Sequence, residues 1–317
     1  MLPKILFSCV LLCCFGCRPE STSSPLTYTQ PTISLSFDDG ITQDFPHYPF
    51  SNWNARLLNT LDSTGLRATF FVTGSNKGDR LGQELLVGWS EAGHTIANHT
   101  WSHPYFHRED LTAEDFAREL LRTDTLIRRY PTYQKWFRFP YLKEGNRRGK
   151  IDSIRAVLSQ HGYRNGHVTI DASDWFFNQE LVQFLRRANP DDPQVGRYRQ
   201  LYLAHLLDRA AFYETLAYEM TGRHIPHTLL MHHNLTSALF LEDVIDTFKT
   251  AGWQWIDADR AFRDSFYLHQ PTTVPAGESL VYSLAKERGG FADRLRYPAE
   301  DARYERPRLR AAGLLDN

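Results

Sequence analysis

The chain has 317 residues, with 36 Lys and Arg against 37 Asp and Glu, a formal net charge of −1 and a pI near 6.9. That balance offers no electrostatic case for nucleic acid, because phosphate binding depends on clustered positive charge. At 42% hydrophobic and 23% charged residues the composition is globular, and the length suffices for one barrel-type domain with an ordinary core.

At the amino terminus, Lys4 supplies a positive start and Ile5 to Gly16 form an apolar run too short to span a bilayer comfortably. This is the pattern of an export signal, with a buried helix as the alternative. All four cysteines, Cys9, Cys13, Cys14 and Cys17, fall here, so the mature domain is expected to have neither thiol nor disulfide. Cys17 follows Phe15-Gly16 and precedes the polar run Arg18 to Ser24, which resembles the lipobox of a bacterial lipoprotein. Cys14 departs from that pattern, which usually has Leu there. The chain thus divides into a signal with lipobox (1–17), a polar tether (18–30), a main domain (31–263) and a C-terminal extension (264–317). Its expected place is the cell envelope, touching membrane only through a lipid on Cys17.

After the tether, Ile33 to Phe37 reads as an apolar strand ending in Asp38-Asp39-Gly40. Asn52 to Leu61 has helical spacing, and Leu66 to Val72 reads as a buried strand closed by Thr73-Gly74. Gln83 to Ala92 is a helix stopped by Gly93, and His94 to Asn98 leads into His99-Thr100-Trp101-Ser102-His103. Thr112 is the N-cap of a helix to about Arg129, with Leu111 placed to staple it. Trp136 to Tyr141 is a short strand broken by Pro140, and Ile151 to Gln160 is a helix ended at Gly162. A strand, His167 to Ile170, ends at Asp171-Ala172-Ser173-Asp174-Trp175. A long helical region, Glu180 to Met220, is interrupted at Asn189-Pro190 and ends at Gly222. His227 to Met231 is a strand ending in His232-His233-Asn234, Leu241 to Thr250 is a helix, and Trp253 to Ile256 closes the pattern. From about Asp264, prolines among mixed charges predict loops and short helices around the outside, with the tail's arginines on a solvated surface. Strands alternating with helices, with chemically capable residues at successive strand ends, predict an α/β fold: a parallel (β/α) barrel. An open doubly wound sheet would more naturally show a Gly-rich phosphate loop after the first strand, and none is present.

Two histidines four apart on a helical turn point the same way and can grip one metal ion. A zinc protease would place Glu after the first histidine, where Thr100 stands, so the base and third ligand must come from elsewhere. The adjacent carboxylates Asp38 and Asp39 can divide those tasks. Each fragment has a plainer reading: His-x3-His as an accident of a polar helix, Asp-Asp-Gly as a turn. In this order they favour a site. One Asp and two His leave open positions on a divalent metal, as hydrolysis requires. Zinc suits the nitrogen-rich set, with cobalt, nickel and iron also open. Asp38 could then take the proton of the attacking water and His232 return one to the leaving group. Arg138 could hold Asp38 ionised, or be a structural surface arginine, and Asp174 could orient His232. His232 and His233 must face opposite sides of a strand, so only one enters the site. His94, His107, His205 and His227 are expected to be structural.

Five blocks in order, SFDDG at 36–40, HTWSH at 99–103, RFPY at 138–141, DASDW at 171–175 and LMH at 230–232, resemble the polysaccharide deacetylases, which include chitin, peptidoglycan and acetylxylan deacetylases. ATFFVTG at 68–74 is similar to that family's second strand. The resemblance covers roughly residues 30–260 and implies an irregular (β/α) barrel with fewer than eight full units, plus a loop-rich C-terminal extension. It implies Asp38 as base, Asp39, His99 and His103 as metal ligands, Arg138 as tether of the base, and His232 as acid supported by Asp174. Trp175 and Leu230 would wall the acetyl pocket, and the Tyr141 backbone N–H would help hold the oxyanion. The implied activity is hydrolysis of an acetyl group from a carbohydrate, most of all N-acetyl from an amino-sugar glycan. An O-acetyl esterase acting on xylan or another hemicellulose, and a glycan-binding lipoprotein without catalysis, are the alternatives. Ser36 stands where the family often has Thr, several members carry an aromatic near Val168, and the Asn178–His224 segment is longer than in the simplest members, so it is expected to overhang the groove.

Overall fold

The computed structural model describes residues 27–75, 77–295 and 302–315. The signal and lipobox reading, the four cysteines, most of the tether, Arg296 and Pro298 lie outside the described residues.

Strand β1 (Thr32–Asp39) is buried on both faces up to its last residue, and its alternating sequence explains how. Ile33, Leu35 and Phe37 point to one face, where Phe37 meets the Trp89 ring; Ser34 and Ser36 point to the other. Both buried hydroxyls donate to carbonyls of the neighbouring strand, at His227 and Leu229 (2.9 and 3.0 Å), so no polar group is stranded. Helix α1 (Phe50–Thr64) buries Trp53, Leu57 and Leu61 at a four-residue spacing. It leads to β2 (Thr69–Val72), α2 (Arg80–Glu91), β3 (Thr95–Asn98), α3 (Ala113–Ile127) and β4 (Tyr133–Phe137). Thr112 caps α3 in a reciprocal capping box with Asp115.

Next come β5 (Lys143–Gly145), α4 (Arg148–Gln160), β6 (Arg164–Asn165), α5 (Asp174–Leu185), α6 (Pro193–Thr221), β7 (Pro226–His232), α7 (Leu235–Thr250), β8 (Gln254–Trp255) and α8 (Ala258–Ala261). The parallel sheet runs β6-β4-β3-β2-β1-β7, with β8 paired to the start of β1. It is curled into a half-barrel with helices around it. Segment 164–170 links the two sheet edges. Gly166 N–H donates to Phe137 O on β4, and Ile170 exchanges hydrogen bonds with β7 through Thr228 O and Leu230 N. The strand expected at His167–Ile170 is therefore a single bridge at Ile170. It crosses a gap between diverging edges and can pair at only one residue.

The extension departs from the expected wrapping. It forms β9 (Ala276–Gly277), α9 (Leu280–Arg288) and α10 (Glu305–Ala311), and Leu280, Val281, Ala285 and Leu309 are buried in the main core. Strand β9 pairs antiparallel with β5, behind the turn that carries Tyr141. The described tail arginines stay on the surface as expected: Arg288, Arg294, Arg303, Arg306 and Arg310 are exposed, with Arg294 paired to Glu219 and Arg306 over the Phe176 ring. The expected overhang by Asn178–His224 is also corrected. Helix α6 packs behind the Asp171–Asp174 loop, where His205 Nε2 and Arg209 Nε hold the carbonyls of Ala172 and Asp171. None of residues 178–224 is among the residues lining the central cavity.

Candidate active site

The cavity at the carboxyl ends of the strands has a volume of about 290 Å³ and is lined by Asp38, Asp39, His99, His103, Tyr141, Leu142, Asp171, Trp175, Leu230 and His232. All five motifs converge there. Strand parity explains part of this. Asp38 follows Ser34 and Ser36 on the inner face of β1, and His232 follows Thr228 and Leu230 on β7. His233 has the opposite parity and is buried among Trp53, Phe70 and Trp89.

The rest of the site depends on backbone that strands and helices do not supply. Asp39 (φ 80°), Thr100 (67°), His103 (58°), Tyr141 (55°) and Ser173 (51°) all adopt left-handed conformations. Such residues are uncommon outside glycine, cost of order 1–3 kcal/mol each, and cluster at functional sites. The His99/His103 pair therefore stands on a loop after β3, not on the helical turn its spacing predicts. After Asp39, Gly40 also has positive φ (82°), and an added Cβ would lie 2.9 Å from the Lys77 side chain, so the Asp-Asp-Gly turn requires glycine.

Asp39 Oδ1 lies 3.7 Å from His99 Nε2 and 3.6 Å from His103 Nε2. Among the described residues this is the one group of three such side chains whose donor atoms fall within 4.8 Å of one another. Bonds of about 2.0–2.2 Å give tetrahedral edges of roughly 3.4 Å, so the set fits a small divalent cation after slight contraction. His99 Nδ1–H donates to Arg138 O (2.9 Å), which leaves Nε2 with its lone pair toward the site. Burial pushes both imidazoles down to about 4, keeping them neutral. Burial also acts to raise Asp39, but the surrounding His232, His103 and His99 outweigh it and hold the carboxyl below its ordinary value.

Arg138 is 1% exposed, so it is not a surface arginine. Its Nη1 donates to Asp38 Oδ1 (2.7 Å) and Ser36 Oγ (2.9 Å), its Nε to Gly166 O (2.9 Å), and it stacks over the Phe71 ring. The other oxygen, Asp38 Oδ2, is 3.7 Å from His99 Nε2 and so faces the Asp39, His99 and His103 group. Burial raises Asp38 to about 6 against the opposing pull of Arg138. Across the cavity, His232 Nδ1–H donates to Asp174 Oδ1 (2.6 Å), while Asp174 Oδ2 accepts from His232 N (2.7 Å) and Asn234 Nδ2 (3.3 Å). Burial acts to lower His232, but Asp174 and then Asp39 and Asp38 prevail and push it up to about 10. The cavity thus holds an ionisable carboxylate on one side and a protonated imidazole on the other. Leu142, Val168 and Leu230 pack together as a small apolar cluster beside them, with Trp175 also on the lining.

The four histidines expected to be structural have internal partners. His94 accepts from Ala68 N, His107 meets Ala276 O, His205 meets Ala172 O, and His227 sits between Glu214 and Thr169. Several supporting groups escape a reading of the sequence alone. Ser36 touches Arg138 directly, so its hydroxyl is part of the network around Asp38. Gly166 O has no side-chain signal. Asn234, read from the sequence only as part of the strand end after Met231, caps α7 through Ser237 N and braces Asp174 with its amide.

Residues 26–166, a little under half of the chain, match the family model described as polysaccharide deacetylase, and over this segment the chain is similar to that family. A chitin deacetylase of a Pestalotiopsis species is 33% identical over 156 residues, covering 48% of this chain and 46% of the relative. The peptidoglycan-N-acetylglucosamine deacetylase of Bacillus cereus is 27% identical over 115 residues, covering 36% and 38% respectively. The chain thus spans less than half the length of either relative. The fold is shared with the solved Bc1960 peptidoglycan N-acetylglucosamine deacetylase at a TM-score of 0.50 and 19% identity, covering 76% of this chain and 92% of that one.

Proposed function

We propose that the protein hydrolyses acetyl groups from a carbohydrate, with N-acetyl of an amino-sugar glycan as substrate. The observation that carries the reading is the placement of two charge pairs, Arg138–Asp38 and Asp174–His232, around the Asp39, His99 and His103 donor set in one cavity. A binding protein has no use for an acid and a base so arranged. A divalent metal, zinc by its nitrogen-rich donors, would be held by those three residues and would polarise the acyl carbonyl and acidify a water.

The chain's own groups do the proton work. Asp38, ionised near neutral pH and held at one oxygen by Arg138, offers Oδ2 to the water that attacks the carbonyl carbon. The Tyr141 N–H, set by the left-handed turn, helps stabilise the oxyanion. His232, kept protonated by Asp174, gives its proton to the departing nitrogen, and acetate leaves. Leu230 and Trp175 take the acetyl methyl and exclude water from that wall. The test is acetate release from chitooligosaccharides, peptidoglycan fragments and acetylated xylan, with chelator and then added zinc. Release from the N-acetylated substrates, lost with chelator and restored by zinc, is the expected result. Release from xylan alone would replace the amide reading by the ester one, and chelator-resistant release would remove the metal.

Export and a lipid on Cys17 belong to the same proposal, supported by the Lys4 start, the Ile5–Gly16 apolar run and the polar residues after Cys17. Mass spectrometry of the amino-terminal peptide from native membranes should find a modified Cys17. An unmodified terminus would mean simple cleavage and release.

A further inference from the structure

The loop that carries Asp174 is held by a residue 132 positions further along the chain. Ser173, directly before Asp174, is buried and left-handed (φ 51°, ψ 36°), and its hydroxyl does not cap α5. A residue with a Cβ stays in that conformation only where its surroundings over-determine it. Glu305, the first residue of α10 and 1% exposed, accepts the Ser173 hydroxyl at Oε1 (3.2 Å). Arg308, one turn later, reaches His205 Nδ1 on α6 (3.4 Å). A guanidinium only donates, so Nδ1 accepts and Nε2 carries the proton that goes to Ala172 O (2.8 Å). Glu305 Oε1 lies 3.6 Å from the same Nε2.

Helix α10 therefore holds Ala172 at its carbonyl and Ser173 at its hydroxyl, and Asp174 comes next. Both Asp174 oxygens are committed to His232, Oδ1 to Nδ1–H (2.6 Å) and Oδ2 to the backbone N–H (2.7 Å). A carboxylate bound at both oxygens cannot follow a shifted backbone without losing one bond. Packing alone does not call for Glu305. Leu309 already seats α10 in the main core, and the Tyr198 hydroxyl holds Leu314 O just beyond it (2.7 Å). A carboxylate buried there is unfavourable unless hydrogen-bonded, and one of its bonds goes to Ser173.

We propose that Glu305 is a positioning residue: through the Ser173 hydroxyl it keeps the backbone at 173 and 174 where Asp174 can orient the His232 imidazole. The inference rests on the deacetylase reading above and deepens it, giving the C-terminal extension a part in turnover as well as in stability.

The test compares the wild type, Glu305→Gln, Glu305→Ala and Leu309→Ala, each below its melting temperature. It reads kcat, KM and the pH profile on whichever of the three glycans above the wild type deacetylates. It also reads the proton resonance of His232 Nδ1–H, identified by its absence in His232→Gln. Glu305→Ala is expected to lose kcat roughly 10-fold with KM little altered, as misplacement of a catalytic group does. Its alkaline limb should move to lower pH and the Nδ1–H resonance should shift or broaden, because Asp174 no longer meets the imidazole squarely. Glu305→Gln keeps an oxygen for Ser173 and should restore kcat and limb, while Leu309→Ala should melt lower with both unchanged. Should Glu305→Ala not fold, Ser173→Ala removes the same bond from the other side and carries the same expectation. A folded Glu305→Ala with wild-type kcat and limb, or an equal fall in kcat in Leu309→Ala, would overturn the inference and leave the deacetylase reading intact. No acetate from the wild type on any glycan would overturn the deacetylase reading. An unchanged Nδ1–H resonance in Glu305→Ala would then overturn the positioning role too, and a shifted one would uphold it.

Discussion

Asp38→Asn is expected to lower acetate release by roughly 10²–10⁴-fold, the range for loss of a positioned general base, while zinc content stays at the wild-type level. The reason is geometric. Asp38 Oδ1 is occupied by Arg138, and an asparagine carbonyl can still accept that hydrogen bond, so the fold around the site is kept. What disappears is the basic Oδ2 facing the donor set, because an amide NH2 cannot take a proton from water. The proposed ligands Asp39, His99 and His103 are untouched. Acetate assay with elemental analysis of the same preparation separates the two effects. An Asp38→Asn enzyme with full turnover would remove Asp38 as base; one without metal would mean Asp38 is a ligand instead.

The accompanying pH profile follows from the signs of the two shifts. In the proposed mechanism Asp38 works deprotonated, and burial raises it to about 6, so activity is expected to fall as pH drops through that value. As the proposed acid His232 works protonated, and Asp174 helps push it up to about 10, so activity is expected to fall as pH rises through that value. The result is a bell whose limbs both move down when a cation is bound beside them.

Arg138→Met is expected to damage both stability and rate. The guanidinium and Asp38 are each almost fully buried and are paired at 2.7 Å, and removing one partner of such a pair typically costs about 3–5 kcal/mol because the other charge is left uncompensated. Asp38 responds by holding its proton: with its main opposing charge gone, burial raises it further above 6. The acid limb therefore moves upward and activity at neutral pH falls, with partial recovery toward alkaline pH. Thermal unfolding and the pH profile check the two halves. The double variant Asp38→Asn/Arg138→Met should regain much of the lost stability without regaining activity, since it removes both charges. Wild-type melting and an unmoved acid limb in Arg138→Met would show that the pair does not control the base.

The tail was the least legible part. Prolines and mixed charges in 264–317 predict an outer wrapping, yet Leu280, Val281 and Leu309 enter the main core, because single apolar residues in a polar stretch carry no periodic signal. The same limit explains His167–Ile170. Its β-branched residues read as a strand, but whether a partner lies alongside depends on how far the two sheet edges have diverged.

By itself, the order of residues determined the alternation of strands and helices, the parity that turns Ser36 and Asp38 inward with His232, and the separation of His232 from His233. These follow from local periodicity, which a chain carries along its own length. Tertiary structure alone decided that His99 and His103 meet Asp39 from a loop with left-handed residues, that Arg138 also holds Ser36 Oγ and Gly166 O, and that β9 pairs with β5 behind the turn that carries Tyr141. Those contacts join residues up to about 135 positions apart, as at Lys143–Glu278. Closing them depends on packing of the whole domain, which no local pattern encodes.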